Sequence, residues 1–216
     1  GKQEKYYCVC PDTEAFALYK EYGAAENIKP ECCVPINQND PLLLEESQCL
    51  VRYDPGIVKN SWIRRYHGQQ LFSLCGVAHA CASENIMEML GSYVTAPLQE
   101  WDALICPSNT IRSSILSILD GWSEIMKERY GTDISCPLEF PIIPIGVNAP
   151  KLAKLNSEEI RLKQRTALAI NKNEIVILYV GRLNYLTKAN PIPLLIAAEE
   201  VAKNSVNPLR IIFHGY

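Results

Sequence analysis

The strongest constraint on the fold lies in residues 174–203, where a short apolar run, a glycine and a helical pattern follow one another. The run from Glu174 to Val180 is rich in β-branched residues, which predicts a strand buried on both faces of a parallel sheet. Gly181 ends this strand. Asn190 followed by Pro191 is typical of a helix start, with the asparagine as N-cap and the proline as first helical residue. The segment therefore predicts the strand, loop and helix of a βα unit.

Strand and helix patterns alternate along most of the chain. Strands are predicted at residues 5–10, 49–53, 71–77, 101–106, 174–180 and 209–213. Helices are predicted at residues 14–22, 83–91, 108–130, 157–170 and 191–203. Such alternation predicts parallel βαβ units and an α/β fold. A proline-stiffened strand over residues 140–148 and the polar stretch after it mark the predicted domain boundary, which gives one domain at 1–147 and a second at 148–216.

Gly181, Arg182 and Lys188 form a candidate phosphate site at the predicted carboxyl end of a strand, where open α/β sheets bind their ligands. The glycine permits a ligand to approach the backbone closely. An arginine fork binds two phosphate oxygens in one plane, and a lysine adds charge without fixed geometry, so the pair suits a diphosphate. The helix start adds amides and a dipole that favour an anion nearby. The alternative is an ordinary βα turn whose charges are solvated.

His79 follows the predicted strand at 71–77 and is a second candidate site residue. At the carboxyl end of a strand, an imidazole can project into the crevice that binds ligands and there donate a hydrogen bond or handle a proton. The alternative is a histidine whose hydrogen bonds are made within the core or at a helix start and which binds no ligand. Arg64 and Arg65, in contrast, are predicted to lie on a solvated helix face.

Composition narrows the range of partners and cofactors. Hydrophobic residues make up 48% of the 216 residues and the net charge is −3, so no global basic field attracts nucleic acid or an anionic membrane. No apolar run approaches the roughly 20 residues that span a bilayer. The nine cysteines include no C-x-x-C pair, and the chain has no N-x-[ST] motif, which argues against a metal site and a secreted disulfide scaffold. We therefore expect a cytoplasmic protein with buried thiols and no metal.

Four segments carry a more specific pattern: GVAH at residues 76–79, WDALICPS at 101–108, IPIGVN at 143–148, and YVGRL at 179–183 with Lys188 beyond it. In this order they resemble the strand-end histidine motif, the last strand of the first domain, the interdomain segment and the phosphate site of glycosyltransferase family 4. The resemblance extends over residues 71–213 and is faint over residues 1–70.

The resemblance implies two Rossmann-like lobes of the GT-B type, both incomplete in this chain, with a partial acceptor-side domain at 1–147 and a partial nucleotide-sugar donor domain at 148–216. It implies transfer of a sugar from a nucleotide-sugar donor to an unknown sugar, lipid or small-molecule acceptor, with retention and without a metal or other cofactor. It assigns catalytic roles to His79, Arg182 and Lys188, and binding of the donor diphosphate to Gly181, Arg182 and Lys188.

The chain also departs from the family pattern. The family's glycine-rich loop and its pair of glutamates have no counterpart in these residues, and Lys188 is followed by Ala189 and Asn190 where many members have glycine. We therefore expect a fragment of an enzyme that is inactive alone, and the resemblance leaves open a peripheral association with a membrane. Two rival classes share the alternation of strands and helices: a non-catalytic Rossmann-type nucleotide-binding module, and another GT-B enzyme such as a nucleotide-sugar epimerase.

Overall fold

The computed structural model describes residues 4–37, 43–81, 83–184 and 190–215. The chain divides into two compact units, Gly1–Gly146 and Val147–Tyr216. Both units contain helices and parallel strands, so the α/β class that the sequence predicts is confirmed.

The first unit alternates strands with helices. Its strands are β1 (Tyr6–Cys10), β2 (Cys33–Asn37), β3 (Cys49–Val51), β4 (Ser73–Val77) and β5 (Ala103–Ile105). Its α-helices are α1 (Thr13–Ala25), α2 (Leu44–Ser47), α3 (Val58–His67), α4 (Glu84–Gly91) and α5 (Asn109–Tyr130), and short 3-10 helices lie at Pro30–Cys32 and Ser92–Val94.

The strands of the first unit form two parallel sheets. β1 pairs with β2, and Tyr6 lies opposite Cys33 in that register. The second sheet has the order β3-β4-β5, in which Leu50 lies opposite Leu74. Parallel neighbours of this kind need crossover connections, which the intervening helices provide. The carboxyl ends of β3, β4 and β5 consequently meet at one edge of the sheet.

The strand predicted within residues 140–148 is wrong as a continuous element, because the bridge between Cys106 and Ile142 is isolated. The N–H of Cys106 donates to the carbonyl of Pro141 at 2.8 Å, and the N–H of Ile143 donates to the carbonyl of Cys106 at 2.9 Å. Pro141 and Pro144 have no N–H to donate, which interrupts a regular ladder.

Helix α5 is capped by Ser108 at its start and by Gly131 at its end. The Ser108 hydroxyl accepts the N–H of Ile111 at 3.3 Å, and Gly131 follows the last turn with a φ of 67°. Among the apolar residues of the helix, Ile115 is fully buried, whereas Ile125 is 44% exposed. The helix therefore packs most closely over its first half.

The prediction that Arg64 lies on a solvated helix face is wrong, whereas Arg65 is exposed as predicted. Both residues lie on α3, but the side chain of Arg64 has no exposed surface. The fixed geometry of the helix places neighbouring residues on different faces, and one of these faces is turned toward the core. The buried apolar residues of that core include Ile36, Ile57, Phe72, Leu74, Tyr93, Leu104 and Ile115.

Asp102 neutralises the buried guanidinium. Nη1 and Nη2 of Arg64 donate to Oδ1 and Oδ2 of Asp102 at 2.6 and 2.7 Å, and Nη1 also donates to the Phe72 carbonyl at 2.9 Å. The carboxylate further accepts the backbone N–H groups of Leu74 at 2.8 Å and Gln99 at 2.9 Å. The pair therefore joins α3, β4 and the turn before β5 inside the core.

In the described residues of the second unit, two strands form a parallel pair. Its strands are β6 (Ile175–Val180) and β7 (Leu209–His214), and its helices are α6 (Ala149–Ala153), α7 (Glu158–Ala167) and α8 (Ile192–Asn204). The predicted burial of β6 on both faces is wrong, since Leu178 is 60% exposed and Val180 is 66% exposed. Both side chains, with Leu168 and Ile212, line an open groove of about 430 Å³ that α7 covers only in part.

Glu174 connects the segment before β6 to β7. Its Oε1 accepts from Nε and Nη2 of Arg210 at 3.1 and 3.0 Å, and its Oε2 accepts the N–H of Asn171 at 2.5 Å. The Asn171 N–H and then the Arg210 guanidinium lower the pKa of the Glu174 carboxyl below its ordinary 4.5. These groups favour the ionised form of the carboxyl.

We expect Glu174 to contribute to the stability of the second unit above about pH 4.5 and to lose that contribution as the pH falls through its lowered pKa. The sign follows because the folded chain holds the proton less tightly than the unfolded chain. Thermal unfolding followed by circular dichroism should show that the unfolding temperature falls less between pH 7 and pH 3 in Glu174→Gln than in wild type. Glu199→Gln, at an exposed position on α8, is the matched control. An equal fall of the unfolding temperature in wild type and Glu174→Gln would contradict this role.

Candidate functional site

The first candidate site lies at the carboxyl edge of the β3-β4-β5 sheet, where open α/β sheets bind their ligands. The three strands are parallel, so the segments that follow them emerge at the same edge. Arg52 and Asp54 follow β3, His79 follows β4 and Ser108 follows β5. The edge therefore combines a cation, a carboxylate, an imidazole and a helix start.

His79 is exposed at this edge and is not part of the core. Its Nε2 contacts the backbone carbonyl oxygen of Tyr53. A carbonyl can only accept a hydrogen bond, so Nε2 carries a proton in this arrangement. In the neutral ring, Nδ1 is then the acceptor, and in the imidazolium both nitrogens donate. The Tyr53 carbonyl thus fixes the tautomer and leaves Nδ1 as the nitrogen for a ligand.

Asp54, which the sequence pattern indicates only as part of a turn, forms an ion pair beside His79. Its carboxylate accepts from Nε and Nη2 of Arg52 at 3.1 and 2.8 Å and from the N–H of Gly56 at 2.7 Å. The hydrogen bonds from Arg52 are the main cause of a lowered pKa of Asp54, with smaller contributions from Gly56 and His79. The carboxylate is consequently ionised at neutral pH and holds the loop after β3 in one conformation.

The same loop is anchored to the core at two further points. The hydroxyl of Tyr93, a fully buried residue, donates to the carbonyl of Pro55. On the other side, a Cβ at Gly76 would lie 3.1 Å from the carbonyl oxygen of Asp54 and 3.2 Å from Cγ2 of Ile57. The glycine in β4 therefore permits the loop to lie directly against the strand, which brings the Tyr53 carbonyl to His79.

We expect Gly76→Ala to destabilise the chain by about 1–3 kcal/mol, because the new methyl group would lie only 3.0–3.2 Å from Leu104, Ile57 and the Asp54 carbonyl oxygen, which would have to shift. The matched control is Gly121→Ala on α5, where nothing lies within 4 Å of a new Cβ. That change should stabilise the chain by about 0.5–1 kcal/mol, because alanine is the better helix former. Urea unfolding followed by circular dichroism measures both. A Gly76→Ala variant as stable as wild type would show that the loop does not depend on this close contact.

The second candidate site lies at the carboxyl end of β6. Gly181 has a φ of 156°, which residues with a Cβ rarely adopt, and its N–H donates to the carbonyl of His214 at 3.0 Å. Arg182 follows immediately and is exposed. Lys188 lies outside the described residues. The prediction of Asn190 as the N-cap is wrong, because α8 begins at Ile192 and Pro191 is its N-cap. The Asn190 side chain still accepts the N–H of Ile192 at 3.0 Å, just before the helix.

The predicted site residues are thus distributed over both units. His79 belongs to the first unit, and Gly181 and Arg182 belong to the second. Arg52, Tyr53 and Asp54 are the site residues that the sequence patterns do not reveal. An arginine two residues before an aspartate is a common pairing with no specific meaning, and only the fold places it beside His79.

Comparisons with known proteins give no family assignment: no family model, no curated protein and no solved structure matches this chain. Within the described ranges, no group of three or more histidine, cysteine, aspartate or glutamate residues could hold a metal ion. The described helices also include none that is long and apolar enough to cross a bilayer.

Proposed function

We propose that this chain is part of a glycosyltransferase with two Rossmann-like domains of the GT-B type, which transfers a sugar from a nucleotide-sugar donor to an acceptor. The observation that carries the proposal is the position of Gly181 and Arg182. A glycine with a positive φ ends a parallel strand, and an exposed arginine follows it directly. This is where α/β sheets bind phosphate groups, and the guanidinium is suited to a diphosphate.

The chemistry of sugar transfer requires positive charge at that position. As the bond between the sugar and the diphosphate breaks, negative charge grows on the leaving phosphate oxygen. Cations that are already in place stabilise this transition state more than the ground state. Arg182 and Lys188 are proposed to supply the charge, so the transfer needs no metal ion. Gly181 lets the phosphate approach the backbone.

His79 is proposed to act on the transferred sugar. With Nε2 on the Tyr53 carbonyl, the neutral ring offers Nδ1 as an acceptor for a sugar hydroxyl. Arg52 and Asp54 hold the loop that carries this carbonyl, so they position His79 without contacting the substrate. One hydrogen bond that is formed fully only in the transition state would raise turnover without strengthening the binding of the nucleotide.

We expect His79→Ala in the full-length protein to lower turnover roughly ten- to thirtyfold, as the loss of one hydrogen bond worth about 1.5–2 kcal/mol requires. The affinity for the free nucleoside diphosphate should stay nearly unchanged. Initial rates of sugar transfer and of donor hydrolysis, measured over a panel of nucleotide sugars, test the first expectation, and calorimetry tests the second. His67→Ala, at an exposed position at the end of α3, is the matched control.

Two outcomes would overturn the proposal. A wild-type protein that binds nucleoside diphosphates but turns over no nucleotide sugar would favour the non-catalytic nucleotide-binding module. Equal turnover in wild type and His79→Ala would remove His79 from the reaction.

A further inference from the structure

Cys8 and Cys10 form a pair of thiols on one face of β1 and belong to neither candidate site. Alternate side chains of a strand point to the same side, so the two cysteines project together. Their sulfur atoms lie 3.1 Å apart, and the Cys10 thiol also approaches the carbonyl oxygen of Cys8 at 3.3 Å. Adjacent sulfur atoms of this kind can be joined by oxidation without a large movement of the backbone.

Solvent reaches this pair through a groove. Cys10 contributes to the wall of an open groove of about 400 Å³ at the carboxyl ends of β1 and β2, together with Asp12, Phe16 and Pro35. Both thiols are only partly buried. A small disulfide compound can therefore approach Cys10 from the groove, with Cys8 directly behind it.

We propose that Cys8 and Cys10 are a redox modification site, in which a low-molecular-weight disulfide such as glutathione disulfide converts the two thiols to a reversible intrastrand disulfide. The Cys10 thiolate attacks one sulfur of glutathione disulfide, which forms a mixed disulfide and releases one glutathione. The Cys8 thiolate then attacks the Cys10 sulfur and releases the second glutathione. The two cysteines lose two electrons and two protons, and the two glutathione molecules receive them.

The order of attack follows from the environment of the two thiols. Burial, and then the hydrogen bond and charge of Cys10, raise the pKa of Cys8 to about 12, so Cys8 is a poor first nucleophile. Once Cys10 is a mixed disulfide, its hydrogen bond and charge no longer raise this pKa, whereas burial, the largest cause, continues to raise it. Contact between the sulfur atoms then favours the second step, since a tethered thiol needs no encounter with its target.

Strand geometry makes the disulfide easy to reduce again. Two residues along a strand span about 6.6 Å, which is inside the range of roughly 4.4–6.8 Å between the Cα atoms of disulfides but close to its upper limit. Bonds near such a limit carry strain and are more readily reduced. A rival partner for Cys8 is Cys33, which lies opposite Tyr6 on β2 and affects the pKa of Cys8.

Peptide mapping separates these pairings. The 216-residue chain is equilibrated in buffers of defined ratios of glutathione to glutathione disulfide, the remaining thiols are alkylated, and the chain is digested with trypsin. Cleavage after Lys5 and Lys20 yields residues 6–20, which contain Cys8 and Cys10 and no other cysteine. Cys32, Cys33 and Cys49 fall in residues 21–52, because trypsin does not cut between Lys29 and Pro30.

The expected product is peptide 6–20 without alkyl groups and lighter by two hydrogen atoms, which returns to the dialkylated form on addition of reduced glutathione. Cys10→Ser should abolish this product, and Cys33→Ser should leave it unchanged. Peptide 6–20 that stays dialkylated at every ratio, that stops at the mixed disulfide, or that becomes linked to residues 21–52 would overturn the proposal. The wild-type result decides the question even where a variant fails to fold.

Discussion

Asp102→Asn is expected to destabilise the chain by about 3–5 kcal/mol, which is the cost of leaving one member of a buried ion pair without its partner. Neither side chain of the pair has exposed surface, so water cannot solvate the Arg64 guanidinium in the variant. An asparagine keeps the shape of the side chain but carries no charge and offers a single acceptor oxygen. The backbone N–H groups of Leu74 and Gln99 compete with Arg64 for that oxygen.

Urea unfolding followed by circular dichroism measures this loss of stability. Two further variants test whether the unpaired buried charge is its cause. Asp120→Asn on the exposed side of α5 should change the free energy of unfolding by less than about 0.5 kcal/mol. Adding Arg64→Met to Asp102→Asn should recover part of the stability, because it removes the uncompensated charge. A loss below about 1 kcal/mol in Asp102→Asn would show that water reaches the pair in solution.

The order and type of most elements could be predicted because their signals are local, whereas β2, α2 and α6 are missing from the predicted pattern. The β-branched run before Gly181 and the helical patterns at 108–130 and 157–170 are local signals, and the structure places β6, α5 and α7 there. The degree to which each element is buried could be predicted less well. The apolar sequence of β6 indicates a strand covered on both sides, but which helices cover it depends on contacts between distant segments.

The same limit explains the error at Arg64 and the residues of the first candidate site that the sequence patterns do not reveal. The position of His79 at a strand end follows from the pattern of β4 alone. The pairing of Arg64 with Asp102 spans 38 residues, and no local pattern distinguishes a buried arginine from a solvated one on α3. The loop of Arg52 and Asp54 has the sequence of a turn, and only its contact with Gly76 places it beside His79.

Lys188→Ala in the full-length protein is expected to lower kcat/KM of the proposed sugar transfer roughly thirty- to a thousandfold. It would remove one of two cations at the leaving group, and a preorganised group of this kind contributes about 2–4 kcal/mol to the transition state. Arg182→Lys should also lower kcat/KM, because a lysine keeps the charge but cannot bind two phosphate oxygens in one plane. Lys203→Ala, which removes an exposed cation on α8 of the same unit, should have no effect on the rate.

The role of the loop after β6 in binding a diphosphate is tested most directly by calorimetric titration of a free nucleoside diphosphate, with uridine and guanosine diphosphate as probes. Wild type, Arg182→Lys, Lys188→Ala and Lys203→Ala are compared at one salt concentration, after thermal unfolding has shown that each variant is folded. We expect saturable binding in wild type and Lys203→Ala, and at least tenfold weaker binding in Arg182→Lys and Lys188→Ala, as the loss of about 1.4 kcal/mol or more requires. Equal affinities in all four proteins would show that the loop is an ordinary βα turn with solvated charges, and would contradict the proposed donor site.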